Sequence, residues 1–209
     1  MLVAVRAGRV QLRDSKHGPW RSAIEKHRLS GPVQVHAEGV TGDEQADRKH
    51  HGGPDKAILA YSADHYPQWR EELGLPNFGP GALGENFEIQ GQTEAQVCIG
   101  DKYRVCDVVL EVSQPRQPCW KPAFLHNLAD FTTQIAQSGR TGWYLRVLET
   151  GTLNPPCPLE LLDRPHPDWT IDRANRLLYH DMENFRARLE LAALPELSPA
   201  WQHMLRKGE

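Results

Sequence analysis

The sequence predicts a mainly β fold with a small helical domain after it. Up to about Pro156, short apolar segments alternate with turns rich in glycine and proline, which is typical of β structure interrupted by few helices. Beyond a run of prolines that ends at Pro167, apolar residues recur at helical spacing. The predicted units are a β domain, a proline-rich linker and a three-helix domain, over residues 1–156, 157–168 and 169–209.

Seven strands are predicted in the first unit. In one of them Val108, Leu110 and Val112 alternate with Val109 and Glu111, which is the period-two pattern of a half-buried strand. That strand leads the chain toward Cys119. The seven segments are 2–11, 20–27, 33–38, 57–61, 83–89, 103–112 and 143–148.

Two helices are expected between these strands, one from a cap at Ser62 to Leu73 and one over 124–137 that Gly139 ends. Three more follow the linker, and the last begins at Ser198, where a serine cap precedes a proline. Three helices in about 40 residues cannot build a large core, so we expect them to pack on the β domain or on another subunit.

Composition excludes several classes of partner. The 209 residues carry a net charge of -3 with a pI near 6.4, so there is no basic surface for nucleic acid and no polybasic membrane patch. The first residues lack the pattern of a signal peptide, and no apolar run is long enough to span a bilayer. We therefore expect a cytoplasmic protein with small-molecule ligands. In that compartment its widely spaced cysteines should be four separate thiols.

The most informative segment is QPRQPCWKP at residues 114–122, in which one cysteine lies between two cations and three prolines. Because each proline restricts its own φ and the residue before it, Cys119 is expected in an extended loop with little freedom. Arg116 and Lys121 favour the thiolate, the form that attacks electrophiles and binds soft metals. The alternative is a buried cysteine at the end of a strand.

A second candidate site precedes the strand predicted over 57–61. Gly52 and Gly53 allow a ligand to approach the backbone closely, while His51 and Lys56 supply groups that bind anions. A solvated turn explains the same residues equally well. The adjacent histidines match no zinc-binding spacing, so a zinc site is not expected.

The letters GPGALG at 79–84 match a dinucleotide-binding fingerprint, but that motif needs a strand before it and a helix after it. Here a strand-like segment follows, so we reject a dinucleotide site. The segment is then a turn that leads into a strand, with Asn86 at the start of that strand. The residue preferences of turns alone would explain it.

A third cluster lies at 138–146. The guanidinium groups of Arg140 and Arg146 suit phosphate, and the rings of Trp143 and Tyr144 suit a flat heterocycle. A helix end followed by a strand with an exposed arginine is the alternative. Taken together, four loops predict a pocket for an anionic ligand with a sulfur-seeking centre. The polar residues of these loops are Lys56, Asn86, Arg116, Lys121, Arg140 and Arg146.

Four segments occur in the order found in MOSC-domain proteins, and the chain resembles that family over nearly its whole length. They are HGGPDK at 51–56, LGENF at 83–87, PRQPCWK at 115–121 and GRTGWY at 139–144. The helical end looks like the three-α domain of the YiiM-like branch. The resemblance implies a MOSC β-barrel-like core that binds the molybdenum cofactor, with Cys119 matching the cysteine expected to ligate molybdenum or carry sulfur.

Related members reduce N-hydroxylated compounds such as hydroxylaminopurines, so the resemblance implies an oxidoreductase with Cys119 as catalytic residue and metal ligand. The chain has no cysteine spacing for an iron–sulfur cluster, and electrons would come from a separate reductase. Without an aminotransferase-like region, neither pyridoxal phosphate binding nor a complete cofactor sulfurase is expected. The expected cofactor-binding residues are His51, Gly52, Gly53, Lys56, Asn86, Arg116, Lys121, Arg140, Trp143, Tyr144 and Arg146.

Two other functions use the same pocket. Cys119 could carry a persulfide to an acceptor, without a metal, or the protein could carry or store the cofactor without catalysis. The expected partners are an N-hydroxylated small molecule and the reductase, with no nucleic acid and no membrane. So small a helical domain is expected to expose apolar faces, which a second copy of the chain could cover in a homodimer.

Overall fold

A computed structural model of the chain describes residues 1–14 and 18–207. Its strands are β1 (Leu2–Ala7), β2 (Gln11–Arg13), β3 (Trp20–Ser22), β4 (His27–Arg28), β5 (Val33–His36), β6 (Gly39–Val40), β7 (Ile58–Ser62), β8 (Phe87–Ile89), β9 (Lys102–Val105), β10 (Val108–Pro115), β11 (Trp143–Glu149), β12 (Gly151–Leu153) and β13 (Glu160–Asp163). Its α-helices are α1 (Arg48–His51), α2 (Tyr66–Leu73), α3 (Trp120–Leu125), α4 (Phe131–Ser138), α5 (Ile171–Tyr179), α6 (Phe185–Ala192) and α7 (Pro199–Arg206).

Eight strands form one curled sheet in the order β13-β9-β10-β11-β7-β8-β1-β4. The strands β7 and β8 are parallel, whereas β9, β10 and β11 pair antiparallel. A three-stranded sheet of β12, β5 and β6 and a ribbon of β2 and β3 complete the β structure of the described residues. The predicted fold class is confirmed, because the protein is mostly β, with a half-barrel sheet, interrupting helices and a small helical region at the end.

The central strand β10 is buried along all of its 8 residues. The sequence predicts one half-buried strand over 103–112, but the structure has a hairpin there, with β9 and β10 joined at Cys106, whose φ is 51°. The half-buried pattern is wrong because both faces of β10 are covered: Leu110 and Val112 lie in the apolar core, while Glu111 on the other face pairs with Arg146. Each of the seven predicted segments nevertheless overlaps an observed strand.

The C-terminal helices share the core of the sheet. Ile171, Leu177 and Trp201 belong to the same buried apolar cluster as Leu110 and Val112 of β10. Their burial on the sheet stabilises helices that are each too short to persist alone in water.

Residues 157–168, predicted as a linker, contribute to the sheet. Leu2 donates its N–H to the carbonyl of Cys157 at 2.9 Å, and Cys157 donates back to Leu2 at 3.0 Å. Strand β13 pairs with β9 at the edge of the main sheet. The structure differs from the expectation because the prolines of this segment flank the paired residues, at an edge where a missing N–H is tolerated.

The predicted helix over 124–137 is two helices, α3 and α4. The chain between them includes Asn127 with φ of 54°, a left-handed conformation that interrupts helical hydrogen bonding. Gly139, with φ of 71°, ends α4 as predicted. The Ser198 side chain caps α7 by accepting from the N–H of Trp201, also as predicted.

Two of the four cysteines form a disulfide, so the expectation of four separate thiols was wrong. Cys106 lies in the turn between β9 and β10, and Cys157 pairs with β1. They are 51 positions apart in sequence, and only the folded sheet brings them together. Cys98 and Cys119 remain free.

No helix among residues 1–14 and 18–207 combines the length and the apolar character needed to cross a bilayer.

Thiol titration will test the disulfide. In denaturant without reductant, we expect two reactive thiols, those of Cys98 and Cys119, and four after reduction. Reduction should also lower the free energy of unfolding by about 2–4 kcal/mol, because the disulfide restricts the unfolded chain. Four reactive thiols before reduction would contradict the pairing.

Candidate functional site

A cleft opens beside the C-terminal end of β10. Its inner part, the inner cleft, contains about 570 Å³ of free space, including space open to solvent. An outer part of about 1180 Å³, the outer cleft, adjoins it and shares His51, Lys56, Cys119, Lys121 and Tyr144 with it. The other residues that line the inner cleft are Ser22, Ala23, Ile24, Lys26, Asp43, Glu44, Gln45, Ala46, Leu59, Leu83, Gly84, Asn86 and Arg116. The other residues that line the outer cleft are Arg21, Asp47, His50, Gln114, Gln117, Pro118 and Trp120.

The end of β10 delivers Cys119 to this cleft. Just past the strand, Arg116 donates its backbone N–H to the carbonyl of Gly142 at 3.1 Å, which fixes the start of the loop. A side chain at position 142 would bring its Cβ to 2.5 Å from the carbonyl oxygen of Ala60, so this close approach requires glycine. Cys119 has an extended backbone, with φ of -120° and ψ of 166°, and its thiol is free and partly exposed.

Arg116 is a buried cation with an unused donor. Its side chain is 4% exposed, and Nη2 donates to the carbonyl of Leu83 at 3.2 Å. Nη1 is buried and has no hydrogen-bond partner among the described residues. Since a charged donor buried without a partner is energetically costly, an anionic group bound in the inner cleft would satisfy it.

Three further basic side chains border both parts of the cleft. Lys56 donates from Nζ to the carbonyl of His50 at 2.8 Å, and burial lowers the pKa of Lys56. Burial, followed by the positive charges of Lys121 and Arg116, lowers the pKa of His51 to about 4. The imidazole is therefore neutral at neutral pH, and its depressed pKa reflects first its burial and second the positive charges beside it.

Asn86 holds the cleft wall together through its side chain. Its Oδ1 accepts from the N–H of Leu59 at 3.1 Å, and its Nδ2 donates to Asp43 at 2.9 Å and to the carbonyl of Arg6 at 3.2 Å. Asp43 in turn forms an ion pair with Lys26. The Asn86 amide is thus engaged on both sides within the wall.

Tyr144 supplies a protonated hydroxyl to the cleft. It lies on β11 opposite Gln114, and burial is the main cause that raises its pKa to about 12. The phenol therefore keeps its proton at neutral pH and is a hydrogen-bond donor there.

Five of the expected cofactor-binding residues do not line the cleft: Gly52, Gly53, Arg140, Trp143 and Arg146. Arg140 forms an ion pair with Glu72 and stacks on Trp69, with its guanidinium carbon 3.5 Å from the ring centroid. Trp143 is a core residue of β11, 2% exposed. Arg140 thus holds the turn before β11 against α2, and Trp143 belongs to the apolar core of the sheet.

Arg146 also lies elsewhere, in a partly buried polar network. Its Nε and Nη2 donate to Asp55 at 2.9 and 2.6 Å, and its Nη1 donates to Glu111 and, at 3.0 Å, to the carbonyl of Glu196. Asp55 lies in the short 3-10 helix that contains Lys56. Arg146 thus supports the segment that carries Lys56 without lining the cleft itself.

Gly52 and Gly53 join α1 to this 3-10 helix. Gly53 has φ of 92°, a conformation that L side chains rarely adopt, and Lys56 donates its N–H to the carbonyl of Gly53 at 3.0 Å. The two glycines therefore orient His51 and Lys56, which do line the cleft.

Sequence reasoning did not identify the wall formed by 22–26 and 43–46. Lys26 is a cleft cation whose pKa burial lowers, and its partner Asp43 also accepts from the N–H of Gly8 at 2.8 Å. Neither Lys26 nor Asp43 lies in a recognisable sequence motif. Their contact joins two segments that are distant in sequence. Gln114 and Trp120 lie within the cysteine segment but were not selected as site residues.

Within the described part of the chain, no group of three or more His, Cys, Asp or Glu side chains is arranged to hold a metal ion. A metal at Cys119 would therefore need most of its ligands from a bound molecule.

Comparison with known proteins identifies related chains. A MOSC domain family model matches residues 47–160, and a model of the YiiM-like 3-alpha helix domain matches residues 169–207. The chain is 42% identical to the uncharacterized protein YflK of Bacillus subtilis, over 87% of this chain and 81% of YflK.

The crystal structure of YiiM from Geobacillus stearothermophilus superposes with a TM-score of 0.84 and 36% identity, over 99% of this chain and 97% of that one. A protein of Gibberella moniliformis named a reductase is 38% identical over 93% of this chain, which spans 35% of that longer protein.

NMR titration of the histidines will test the cleft potential. In cofactor-free protein, His51 should titrate near 4, and Lys121→Ala should raise its pKa by removing a repulsive charge, while burial keeps it below 6.5. Because unfolding restores the ordinary pKa, His51 should destabilise the fold as pH falls from 6.5 toward 4, and His51→Gln should remove that contribution. Lys102→Ala is the control. An equal shift of the His51 pKa in that variant would contradict the assignment of the effect to Lys121.

Arg146→Met should lower the free energy of unfolding by about 2–4 kcal/mol, because Asp55 and Glu111 lose their cation in a partly buried site. Urea unfolding measures this change. Arg186→Met, which removes an exposed ion pair with Glu190, should lower it by no more than about 0.5 kcal/mol. Equal effects would show that the Arg146 network contributes little.

Proposed function

The chain belongs to the MOSC domain family, in the branch with a YiiM-like three-helix domain, and we propose that it is a molybdenum-cofactor-dependent oxidoreductase that reduces N-hydroxylated compounds. One observation carries the proposal: the free thiol of Cys119 shares a cleft with buried Arg116, whose Nη1 has no partner among the described residues. A soft ligand beside an unsatisfied cation suits a molecule that is both metal-bearing and anionic.

The residues of the inner cleft fit such a cofactor. Cys119 is the one thiol of the cleft lining and would ligate the metal. Arg116 and Lys121 would hold its phosphate by charge-assisted hydrogen bonds. When bound, the cofactor supplies the two-electron redox chemistry that cleaves the N–O bond.

The overall reaction converts R–NHOH, two electrons and two protons into R–NH₂ and water. The chain's own contribution is to orient the substrate and to supply protons. Lys56 is suited to protonate the departing hydroxyl oxygen from Nζ, because burial lowers its pKa and so makes it a stronger acid than an exposed lysine. Tyr144 offers a second protonated group in the same cleft. Neutral His51 adds no positive charge that would repel a basic substrate.

The electrons would come from a separate reductase, since the spacing of the cysteines does not suit an iron–sulfur cluster. The relative named a reductase supports an oxidoreductase, although this chain spans about a third of that protein and its name describes the longer protein.

Sulfur transfer is the second candidate, and the state of the other cysteines favours it. Cys98 is buried, and Cys106 is bonded to Cys157, so neither is available to resolve a persulfide on Cys119. A persulfide formed there would persist until an external acceptor removed it. A non-catalytic cofactor carrier would use the same contacts as the reductase.

Metal and pterin analysis will separate these functions. Protein from a molybdate-replete host that makes the cofactor should contain molybdenum and pterin and should reduce an N-hydroxylated substrate with a small artificial electron donor. Cys119→Ser should lose activity while the fold is retained. Lys121→Ala should weaken cofactor retention by about 1–3 kcal/mol through one lost charge-assisted contact.

Lys102→Ala is the matched control, because Lys102 pairs with Asp163 at the sheet edge, away from the cleft. Cofactor without turnover would favour a carrier, and a metal-free persulfide on Cys119 would favour sulfur transfer. An active serine variant would contradict the assignment of Cys119.

A further inference from the structure

The turn over 139–142, between α4 and β11, supports the loop that carries Cys119. The carbonyl of Gly142 accepts the N–H of Arg116 at 3.1 Å, and Cys119 follows Arg116 by three positions. The groups that fix the Gly142 peptide therefore also fix the start of the cysteine loop.

The Gly142 peptide is held on both of its sides. Its N–H donates to Oε1 of Glu94 at 2.7 Å, and its carbonyl accepts from the hydroxyl of Thr141 at 2.9 Å. Glu94 is 4% exposed, and Thr141 is fully buried. Hydrogen bonds at this depth keep a defined geometry, because a buried polar group that loses its partner is energetically costly.

Asn175 of α5 connects this turn to the C-terminal helices. Its Nδ2 donates to Oγ1 of Thr141 at 2.8 Å and to the carbonyl of Gly139 at 3.1 Å. Because Nδ2 supplies the proton, Oγ1 of Thr141 is the acceptor there and keeps its own proton for the carbonyl of Gly142. A continuous series of hydrogen bonds thus runs from Asn175 through the turn to Arg116.

The C-terminal helices approach the cysteine segment at two further points. Nε2 of Gln117, a residue of the outer cleft, donates to Sδ of Met204 on α7 at 3.0 Å. Burial raises the pKa of Tyr179 on α5 to about 12, and the positive charge of Arg116 opposes that rise, so α5 lies within electrostatic reach of Arg116. The cysteine segment therefore lies next to helices that are outside the β domain.

We propose that Asn175 and Thr141 are positioning residues that hold Arg116, through the Gly142 peptide, where it binds an anion in the inner cleft. The C-terminal helices then take part in forming the site, although Asn175 and Thr141 do not line the cleft. The effect on turnover rests on the proposed function, whereas the position of Arg116 can be measured without cofactor.

Two variants remove the links one at a time in the cofactor-free full chain. Thr141→Val removes the hydroxyl that joins Asn175 to the Gly142 carbonyl, and Asn175→Leu removes the donor with a side chain of similar size. Calorimetry measures the binding of inorganic phosphate. Each variant should weaken it by about tenfold, which corresponds to the loss of one charge-assisted hydrogen bond from Arg116.

The imidazole of His51 reports the position of Arg116 independently. Burial, followed by the charges of Lys121 and Arg116, lowers the pKa of His51. When the guanidinium moves away in Thr141→Val or Asn175→Leu, that pKa should rise, and NMR titration measures it. A loss of stability alone would leave the His51 pKa of the folded protein unchanged.

Two controls match these variants. Thr141→Ser keeps the hydroxyl and should restore phosphate affinity to within about twofold of the unaltered protein. Thr170→Val removes the side-chain cap of α5, in which Oγ1 of Thr170 accepts from the N–H of Arg173 at 3.1 Å. It should lower the free energy of unfolding without changing the phosphate affinity or the pKa of His51.

Unchanged phosphate affinity and an unchanged His51 pKa in Thr141→Val and Asn175→Leu would overturn the positioning role. Equal changes in Thr170→Val would also overturn it, because they would then follow from a destabilised helix. The two positioning variants are independent, so the test stands if one of them does not fold. If both readouts change as expected but the cofactor-loaded protein reduces no N-hydroxylated compound, the positioning role stands and only the proposed function fails.

Discussion

The structure depends on the complete burial of β10 between β9 and β11. Because the strand is covered on both faces and paired with a neighbour on each side, its position is fixed. The direction in which the chain leaves the strand is therefore fixed as well. The hydrogen bond from the N–H of Arg116 to the carbonyl of Gly142 fixes the chain one residue past the strand. Position 142 lies so close to its neighbours that only a residue without a side chain fits there. The positions of Arg116 and Cys119 are therefore consequences of how the core of the sheet packs.

The cleft concentrates positive charge that the protein compensates only in part. Asp43 pairs with Lys26 and Asp47 with His50, whereas Arg116 has no carboxylate partner among the described residues and keeps one donor unused. Elsewhere in the fold, arginines such as Arg146 are surrounded by acceptors. Other arginines, such as Arg140 and Arg188, also have a buried donor without a partner among the described residues, so what distinguishes Arg116 is that it lines the cleft beside Cys119.

Sequence reasoning predicted the features whose causes are local. Prolines around Cys119 indicated an extended loop, and the glycine and serine caps of α4 and α7 follow from short-range backbone chemistry. It did not predict the disulfide or the Lys26–Asp43 wall, since both join segments that only the folded sheet brings together. Arg140 looked like a phosphate ligand because its motif does not reveal that Glu72 and Trp69 are its neighbours.

The disulfide has a consequence for the integrity of the chain. Cys106 and Cys157 close a covalent ring that contains Arg116, Cys119, Lys121 and Tyr144, together with α3 and α4. A single peptide-bond break in the exposed turn between these helices would open the ring but leave both fragments joined through sulfur. The cleft residues on either side of the break would stay attached to one molecule, so a nicked chain would separate only under reducing conditions.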